Sequence, residues 1–178
     1  MRKDQRVVLP KCTIYYKMIT EFIKPSLAAG QLTKPQIENI LLSQVLGRLA
    51  CTDGKQPYIV PVTYTYDGEF IYCQTNEGTK LTMLRKNPAI CFEVDTMTDM
   101  SNWQSVVVFG KFEELKDVEE KKARDILYTR IFSLLTGNSV HKHEHAYEGN
   151  DELENKSRIK YIMYRIKITE ITGRFEKC

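Results

Sequence analysis

The sequence predicts a mainly β fold of the α+β class, an antiparallel barrel of about six strands with helices on its outside. The first observation is the stretch PYIVPVTYTYDGEFIYCQTNEGTK, residues 57–80, in which two strand patterns flank a tight Asp67-Gly68 turn. The second is that the other strand patterns are also short and mostly linked as hairpins. Helical periodicity is confined to three segments.

The first helical segment follows Thr33. Thr33 and Gln36 have the spacing of a capping box. Apolar residues then recur at helical spacing, at Ile37, Ile40, Leu41 and Val45. We expect Gly47 to end this helix and the residues RLAC to begin a strand, with a turn at Asp53-Gly54.

The residues before this helix form no clear pattern. They mix apolar and basic side chains and are interrupted by Pro10 and Pro25. The expected organisation is therefore an N-terminal arm or short helix over residues 1–30, followed by a folded domain over residues 31–178.

The strand pattern PYIVPVTYTY has one apolar face. Alternate positions place on it the side chains of Tyr58, Val60, Val62, Tyr64 and Tyr66. Pro61 cannot donate a hydrogen bond to a neighbouring strand, so it indicates an edge, a bulge or a break that faces a ligand. The return strand is EFIYCQ.

The rest of the chain continues the alternation of strands and helices. Residues 80–86 form a short helix that Asn87-Pro88 ends. AICFEVD and QSVVVFGKFEEL are two strands, separated by a loop that contains Trp103. A longer helix begins at Asp117, with an apolar stripe at Ala123, Ile126, Leu127, Ile131, Leu134 and Leu135. The last strand alternates apolar and polar residues at Ile162, Tyr164, Ile166 and Ile168.

Composition excludes several classes of protein. The net charge of +3 is small and the charges are interspersed, which argues against a nucleic-acid partner. No stretch resembles a signal peptide or a membrane span, so neither a membrane partner nor secretion is expected. The five cysteines are odd in number and far apart, which predicts reduced thiols and a cytoplasmic protein: Cys12, Cys51, Cys73, Cys91 and Cys178.

The loop TNEGTK, residues 75–80, combines hydroxyl, amide and glycine groups with Lys80 at the start of a helix. Free backbone N–H groups and the positive end of a helix suit an anion such as phosphate. Hydroxyl groups add donors and the lysine adds a charge. The alternative is a solvated loop with a threonine cap, and local chemistry alone favours that alternative.

The motif HKHEH places His141, His143 and His145 at alternate positions. On a strand the three imidazoles would share one face, within reach of zinc or haem iron. The flanking residues are typical of a loop, which favours a solvated polar segment and predicts no metal site.

Five short sequence motifs follow one another along the chain: GRLA, P-Y-x-x-P-V, D-G-x-x-I-Y, E-G-x-K leading to N-P, and S-V-V-V-x-G. Their order and spacing resemble the flavin-binding split-barrel family related to pyridoxamine 5'-phosphate oxidase, and in particular its branch of nitroimidazole-resistance proteins. The resemblance covers about residues 36–115, with a weaker echo in YRIKITEITGR. It implies a six-stranded antiparallel split β-barrel of the Greek-key type with flanking helices, and a homodimer that binds FMN at the subunit interface.

The resemblance also implies which residues bind the cofactor. It places residues 60–65 along the isoalloxazine ring, including Val60, Pro61, Val62 and Thr63. It places Tyr72, Cys73 and Gln74 on the strand that contacts the flavin. Read from its residue type alone, Cys73 is a small apolar filler rather than a nucleophile.

Further cofactor contacts follow from the same resemblance. Lys80 matches the family's phosphate-binding lysine, with Thr75 and Thr79 as additional donors. Ser105 matches a polar position that reaches the flavin, and Trp103 lies near it. Read as a residue type, Trp103 is equally a core or dimer contact.

Two departures from the family pattern limit the implied activity. The C-terminal ITEITGRFEKC lacks the basic and aromatic motif that holds the substrate phosphate in the true oxidase. Gln74 stands where the nitroimidazole branch usually has a histidine, and an amide does not exchange protons near neutral pH. The expected function is therefore an FMN-dependent oxidoreductase that acts on an unknown small molecule with electrons from a reduced nicotinamide. The alternative is a flavin- or haem-binding module without turnover.

Overall fold

The computed structural model describes residues 29–134 and 161–177. The described strands are β1 (Gly30–Gln31), β2 (Leu46–Thr52), β3 (Pro57–Tyr66), β4 (Phe70–Thr75), β5 (Ala89–Asp99), β6 (Asn102–Glu114) and β7 (Ile162–Glu176). The described helices are α1 (Lys34–Ser43), α2 (Thr79–Lys86) and α3 (Asp117–Leu134). Leu135, Cys12, Cys178 and the three histidines lie outside the described residues.

Six long strands close into one antiparallel barrel. Their order is β7-β4-β3-β2-β5-β6, and β6 pairs again with β7. This closing ladder runs from Trp103 opposite Glu176 to Glu114 opposite Tyr164. The two-residue β1 adds a short pairing to the far end of β7. The predicted six-stranded antiparallel split barrel with flanking helices is confirmed.

Alternating side chains fill the barrel. The rings of Tyr64 and Phe92 meet edge to face, with 5.0 Å between their centroids. The Tyr64 hydroxyl also donates a hydrogen bond of 3.0 Å to the carbonyl of Leu41, which fastens the end of α1 to the barrel. The predicted apolar face of β3 is confirmed, since Ile59, Pro61 and Thr63 are exposed and the residues between them are not.

The start and end of α1 follow different signals. The predicted capping box is present, because the Thr33 N–H donates to Gln36 Oε1 at 2.8 Å. The prediction that Gly47 ends the helix is wrong, since α1 ends at Ser43 and Gln44 is already extended. Gly47 lies inside β2, where a Cβ would come within 2.3 Å of Phe92 Cζ. The glycine is therefore required for packing of an aromatic ring rather than for a helix cap.

The placement of Trp103 in a loop is also corrected. Trp103 lies in β6, opposite Met97 of β5 and Glu176 of β7. Its indole N–H donates to Glu176 Oε2 at 2.8 Å. The turn before it is short because the Asp99 carboxylate accepts hydrogen bonds from the Ser101 N–H and the Asn102 amide, so the strand begins earlier than the sequence indicates.

Helix α3 covers the outside of β4 and β7. Tyr72 and Met163 lie on these two strands and pack with Leu115, Ala123 and Leu127 in a second, smaller hydrophobic cluster. Of the helices in the described ranges, none combines the length and the apolar composition needed to cross a bilayer. The three cysteines in these ranges, Cys51, Cys73 and Cys91, are free thiols.

Substitution of Gly47 tests the packing account. Gly47→Ala should lower the free energy of unfolding by about 1–3 kcal/mol, because the new methyl group must displace a fully buried ring. Urea unfolding measures the loss. The same substitution in a Phe92→Leu background should cost less, and equal costs in the two backgrounds would show that the ring is not responsible.

Candidate functional site

A cavity of about 440 Å³ opens between β3 and the loop that joins β4 to α2. Seven of the residues singled out from the sequence line it: Pro61, Val62, Thr63, Gln74, Thr75, Thr79 and Lys80. The other lining residues that belong to the loop considered as an anion site, although not among the cofactor-binding residues assigned by the resemblance, are Asn76, Glu77 and Gly78. The sequence analysis did not assign Tyr58 and Tyr161 to the site.

The cavity exists because β3 is only half paired. Residues 57–63 pair with β2, whereas pairing with β4 is limited to Tyr64–Tyr66. Along the first part of β3, one edge therefore meets no other described strand. Pro61 lies in this part, opposite Arg48, and the register with β2 is unbroken. Of the three interpretations of Pro61, the structure shows a strand edge and no bulge.

The loop ends at a helix N-terminus that faces the cavity. Gly78 has φ +156°, at the limit of what side chains tolerate, and α2 begins at Thr79. The first N–H groups of a helix have no carbonyl partner within it, and they carry its positive end. Because Thr79 and Lys80 form this end and line the cavity, the site is suited to an anion.

The Lys80 ammonium adds a full positive charge. It lies 6.0 Å from the centroid of the Tyr164 ring, and it forms no salt bridge within the described ranges. Burial lowers the pKa of Lys80 below its ordinary value. A partly buried cation without a counterion is costly, so an anionic ligand would relieve an existing penalty.

Neutral groups lie beneath the lysine. Cys73 is fully buried, and burial raises the pKa of its thiol to about 12. Burial raises the pKa of Tyr164 well above its ordinary value as well. The Tyr164 hydroxyl faces the Cys73 thiol, a weak partner, and makes no regular hydrogen bond to another described group. Both groups therefore stay protonated at neutral pH and cannot act as bases there.

Gln74 is held by a residue of α3. The Tyr128 hydroxyl donates to Gln74 Oε1 at 2.9 Å, so the amide nitrogen is left as the group that can serve a ligand. Tyr128 carries no sequence signal for this role, because 54 residues separate it from Gln74. Only the folded contact between α3 and β4 brings the two together.

Five residues singled out from the sequence do not line this cavity: Val60, Tyr72, Cys73, Trp103 and Ser105. Val60 packs against the barrel core, and Cys73 lies within that core. Tyr72 packs under α3 and donates to Asp67 Oδ2 at 2.9 Å. Trp103 and Ser105 lie on β6, where Ser105 donates to Glu93 Oε1 at 3.0 Å.

The outer face of β2, β3, β5 and β6 is unusually apolar. Its large exposed side chains are Leu46, Ile59, Met97 and Phe109, and Ile59 is 64% exposed. Arg48 lies among them and pairs with Glu93 and Asp95. Exposed apolar side chains grouped on one face in this way are typical of a surface that a partner covers.

Metal chemistry has no support in the described part of the chain. No group of three histidine, cysteine or carboxylate side chains there is arranged to hold a metal ion. The HKHEH motif lies outside the described residues, so its assignment stays a prediction. Among the residues that the structure describes, the cavity lining includes one carboxylate, Glu77, and no histidine.

Comparison with known proteins identifies the family. The family model described as pyridoxamine 5'-phosphate oxidase matches residues 33–175. An uncharacterized protein of Rhizobium meliloti (strain 1021) is 34% identical over 84 residues, which is 47% of this chain. The match spans 56% of that relative's length.

Solved structures agree with the fold. A FAD-binding protein from Mesorhizobium loti has a TM-score of 0.67 at 27% identity, covering 86% of this chain and 100% of its own. A proposed 5-nitroimidazole antibiotic resistance protein from Bacteroides thetaiotaomicron has a TM-score of 0.61 at 19% identity, and the match covers 84% of this chain and 89% of that protein. A FAD- and haem-binding protein from Mycobacterium smegmatis has a TM-score of 0.63 at 15% identity, and the match covers 83% of this chain and 74% of that protein. The last two likenesses show the fold alone.

The buried charge of Lys80 leads to a stability prediction. Lys80→Met should raise the free energy of unfolding of the ligand-free protein at neutral pH, because it removes a desolvated ammonium. Since the folded pKa is lowered, the unfolded wild type binds more protons between that pKa and 10.5, so its stability rises with pH across this window. Urea unfolding at pH 7 and above pH 10 measures both effects. A stability difference between the two proteins that is independent of pH would contradict this account.

Proposed function

Because the chain belongs to the pyridoxamine 5'-phosphate oxidase family, we propose that it is a flavoprotein that binds FMN in the cavity beside β3. We further propose that it is an oxidoreductase for a small molecule that remains to be identified. The observation that carries the proposal is the meeting of a free strand edge with a basic helix N-terminus in one cavity. The free strand edge suits a planar ring, and the basic helix N-terminus suits a phosphate.

The phosphate end of the site rests on Lys80 and the residues around it. Thr75, Thr79 and Lys80 line the cavity where α2 begins. The Thr75 hydroxyl donates to the Asn76 carbonyl at 3.1 Å, so it would have to change partner to donate to a phosphate. One lysine and one helix end suit a single phosphate monoester, which favours FMN over the longer FAD. The Mesorhizobium loti relative binds FAD, so the two flavins must be compared directly.

The ring end rests on β3. The residues proposed to lie along the isoalloxazine ring are Val60, Pro61, Val62 and Thr63, in the part of β3 that β4 leaves unpaired. Backbone groups on a free strand edge supply both donors and acceptors to a ring. Gln74 adds an amide nitrogen that Tyr128 holds in place. Tyr72 and Cys73 support the ring site from the strand behind it.

A second copy completes the proposed site. The apolar outer face of β2, β3, β5 and β6 continues up to Pro61 and Thr63, which line the cavity. A homodimer formed through this face would cover the patch and bring a second chain to the mouth of the cavity. Trp103 and Ser105 do not line the cavity of their own chain, so we expect them to approach the flavin of the other copy.

A bound flavin supplies hydride and single-electron transfer chemistry. The residues of the chain fix the position of the ligand and exclude water. Lys80 balances the charge of the phosphate, and Gln74 donates a hydrogen bond. Cys73 and Tyr164 remain neutral, since burial raises the pKa of each. Neither side chain therefore exchanges a proton with the ligand near neutral pH.

That last observation favours a second candidate function, a flavin- or haem-binding module without turnover. The described residues that line the cavity include no histidine, and the neighbouring Cys73 thiol and Tyr164 phenol stay protonated near pH 7 because burial raises the pKa of each. The absorption spectrum of the purified protein separates the candidates. Flavin bands support the first, a Soret band supports haem, and flavin that a reduced nicotinamide does not reduce supports a binding module.

Removal of the Lys80 charge tests the phosphate site. Lys80→Ala should weaken FMN binding by about tenfold to hundredfold, because a charge-assisted contact is worth about 1.5–3 kcal/mol. Riboflavin has no phosphate, so its affinity should hardly change. Thr79→Ala should act in the same direction but more weakly. Titration of the apo-protein, followed by flavin fluorescence, gives the affinities.

Lys55 provides a matched control. It lies in the exposed β2–β3 turn and does not line the cavity, so Lys55→Ala should leave both affinities unchanged. Equal losses for FMN and riboflavin in Lys80→Ala would assign the lysine to the ring site or to folding. No loss for either ligand would reject the phosphate site.

Introduction of a charge tests the dimer face. The wild type should scatter light as a dimer at micromolar concentration, whereas Ile59→Glu should be monomeric and lose most of its flavin affinity. Val118→Glu is the control, because Val118 is 82% exposed on α3, outside this face. A monomeric wild type, or an Ile59→Glu dimer with full affinity, would contradict the assembly.

A further inference from the structure

We propose that Arg85 keeps the cavity selective for an anion by holding Glu77, the one carboxylate among its described lining residues, and offsetting its charge. Arg85 does not itself line the cavity, so its role is to position another residue. This inference rests on the proposed function, since the anion is the phosphate of the flavin nucleotide.

The geometry explains how one side chain does this. Arg85 Nη1 donates to both carboxylate oxygens of Glu77, each at 3.1 Å. Its Nε and Nη2 donate to the two oxygens of Glu114 on β6, at 2.8 and 3.0 Å. The planar guanidinium therefore ties the cavity loop to the barrel wall through two carboxylates, a geometry that a lysine cannot reproduce.

The position of Glu77 makes its charge important. Glu77 lies three residues before Lys80, and both line the same cavity. An unpaired carboxylate there would repel a phosphate and would attract the Lys80 ammonium. The Lys80 ammonium is otherwise faced by the Tyr164 ring from β7 and by the Cys51 and Cys73 thiols from β2 and β4. Pairing with Arg85 leaves Lys80 as the uncompensated charge of the cavity.

Loss of the Arg85–Glu77 ion pair should change the affinity for FMN rather than the stability of the fold. Glu77 and Arg85 are both substantially exposed, at 63% and 42% of their side chains, and exposed ion pairs contribute little to folding. Nearby charges of the same sign nevertheless act on a doubly charged phosphate over several ångströms. Ligand affinity is therefore the sensitive measurement.

The test compares three variants with FMN and riboflavin as probes. Arg85→Gln should weaken FMN binding about three- to tenfold, and salt should reduce the loss, while riboflavin affinity is unchanged. Glu77→Gln should bind FMN slightly more tightly than the wild type. The double variant Arg85→Gln with Glu77→Gln should recover wild-type affinity, because no carboxylate remains among the described lining residues and Glu114 lies on β6 outside them. Arg124→Gln, which breaks a comparable Arg–Glu pair on α3, should change neither affinity.

A measurement without flavin keeps the inference separate from the proposed function. The Lys80 pKa, read by NMR of the reductively methylated apo-protein, should rise in Arg85→Gln and return in the double variant, since a free Glu77 carboxylate stabilises the ammonium. An unchanged Lys80 pKa would overturn the inference whether or not flavin binds. Equal losses for FMN and riboflavin, or no recovery in the double variant, would overturn it too. Failure of the wild type to bind either flavin would reject the proposed function alone.

Discussion

Strand β3 pairs with one neighbouring strand at a time, with β2 over residues 57–63 and with β4 over Tyr64–Tyr66, and the rest of the structure is arranged around that incomplete pairing. An open strand edge leaves backbone donors and acceptors unpaired and invites association with other chains. The barrel compensates elsewhere, since β6 and β7 pair along most of their length and close it. Tyr64, the first residue of β3 that pairs with β4, also anchors α1 through the Leu41 carbonyl. The edge can therefore stay open next to a well-packed core.

The strength of local sequence signals determined how much of this fold could be predicted. The capping box at Thr33 and the Asp67-Gly68 turn depend on neighbouring residues, and both were predicted correctly. Gly47 was misinterpreted because a glycine after a helical pattern ordinarily indicates a cap, whereas here it makes room for the Phe92 ring of another strand. The start of β6 was missed because its pairing with β7 joins segments more than 70 residues apart.

The residues of the candidate site also differ in whether local sequence signals could predict them. The cavity-lining residues 74–80 are consecutive in sequence. The composition of this loop offered an anion site as one of two interpretations, and the family resemblance favoured it over a solvated loop. Tyr128 and Arg85 act through other side chains and carry no local signal. Glu77 belongs to the loop, but its pairing with Arg85 depends on how α2 packs against β6. Sequence therefore predicts the groups that can contact a ligand better than the groups that position them.

The electrostatics of the cavity connect binding with stability. Lys80 is partly buried above neutral groups, and burial lowers its pKa, so the ligand-free protein bears the cost of a desolvated cation. Natural proteins accept such costs at binding sites, because the ligand supplies the missing interaction. Burial also affects the proton chemistry next to the cavity, because it raises the pKa of Cys73 and Tyr164 and keeps both side chains neutral. Neither of these two side chains exchanges a proton near neutral pH, so a proton that accompanies the proposed electron transfer would not come from Cys73 or Tyr164. The proposed oxidoreductase would therefore favour acceptors that need no proton from these two groups.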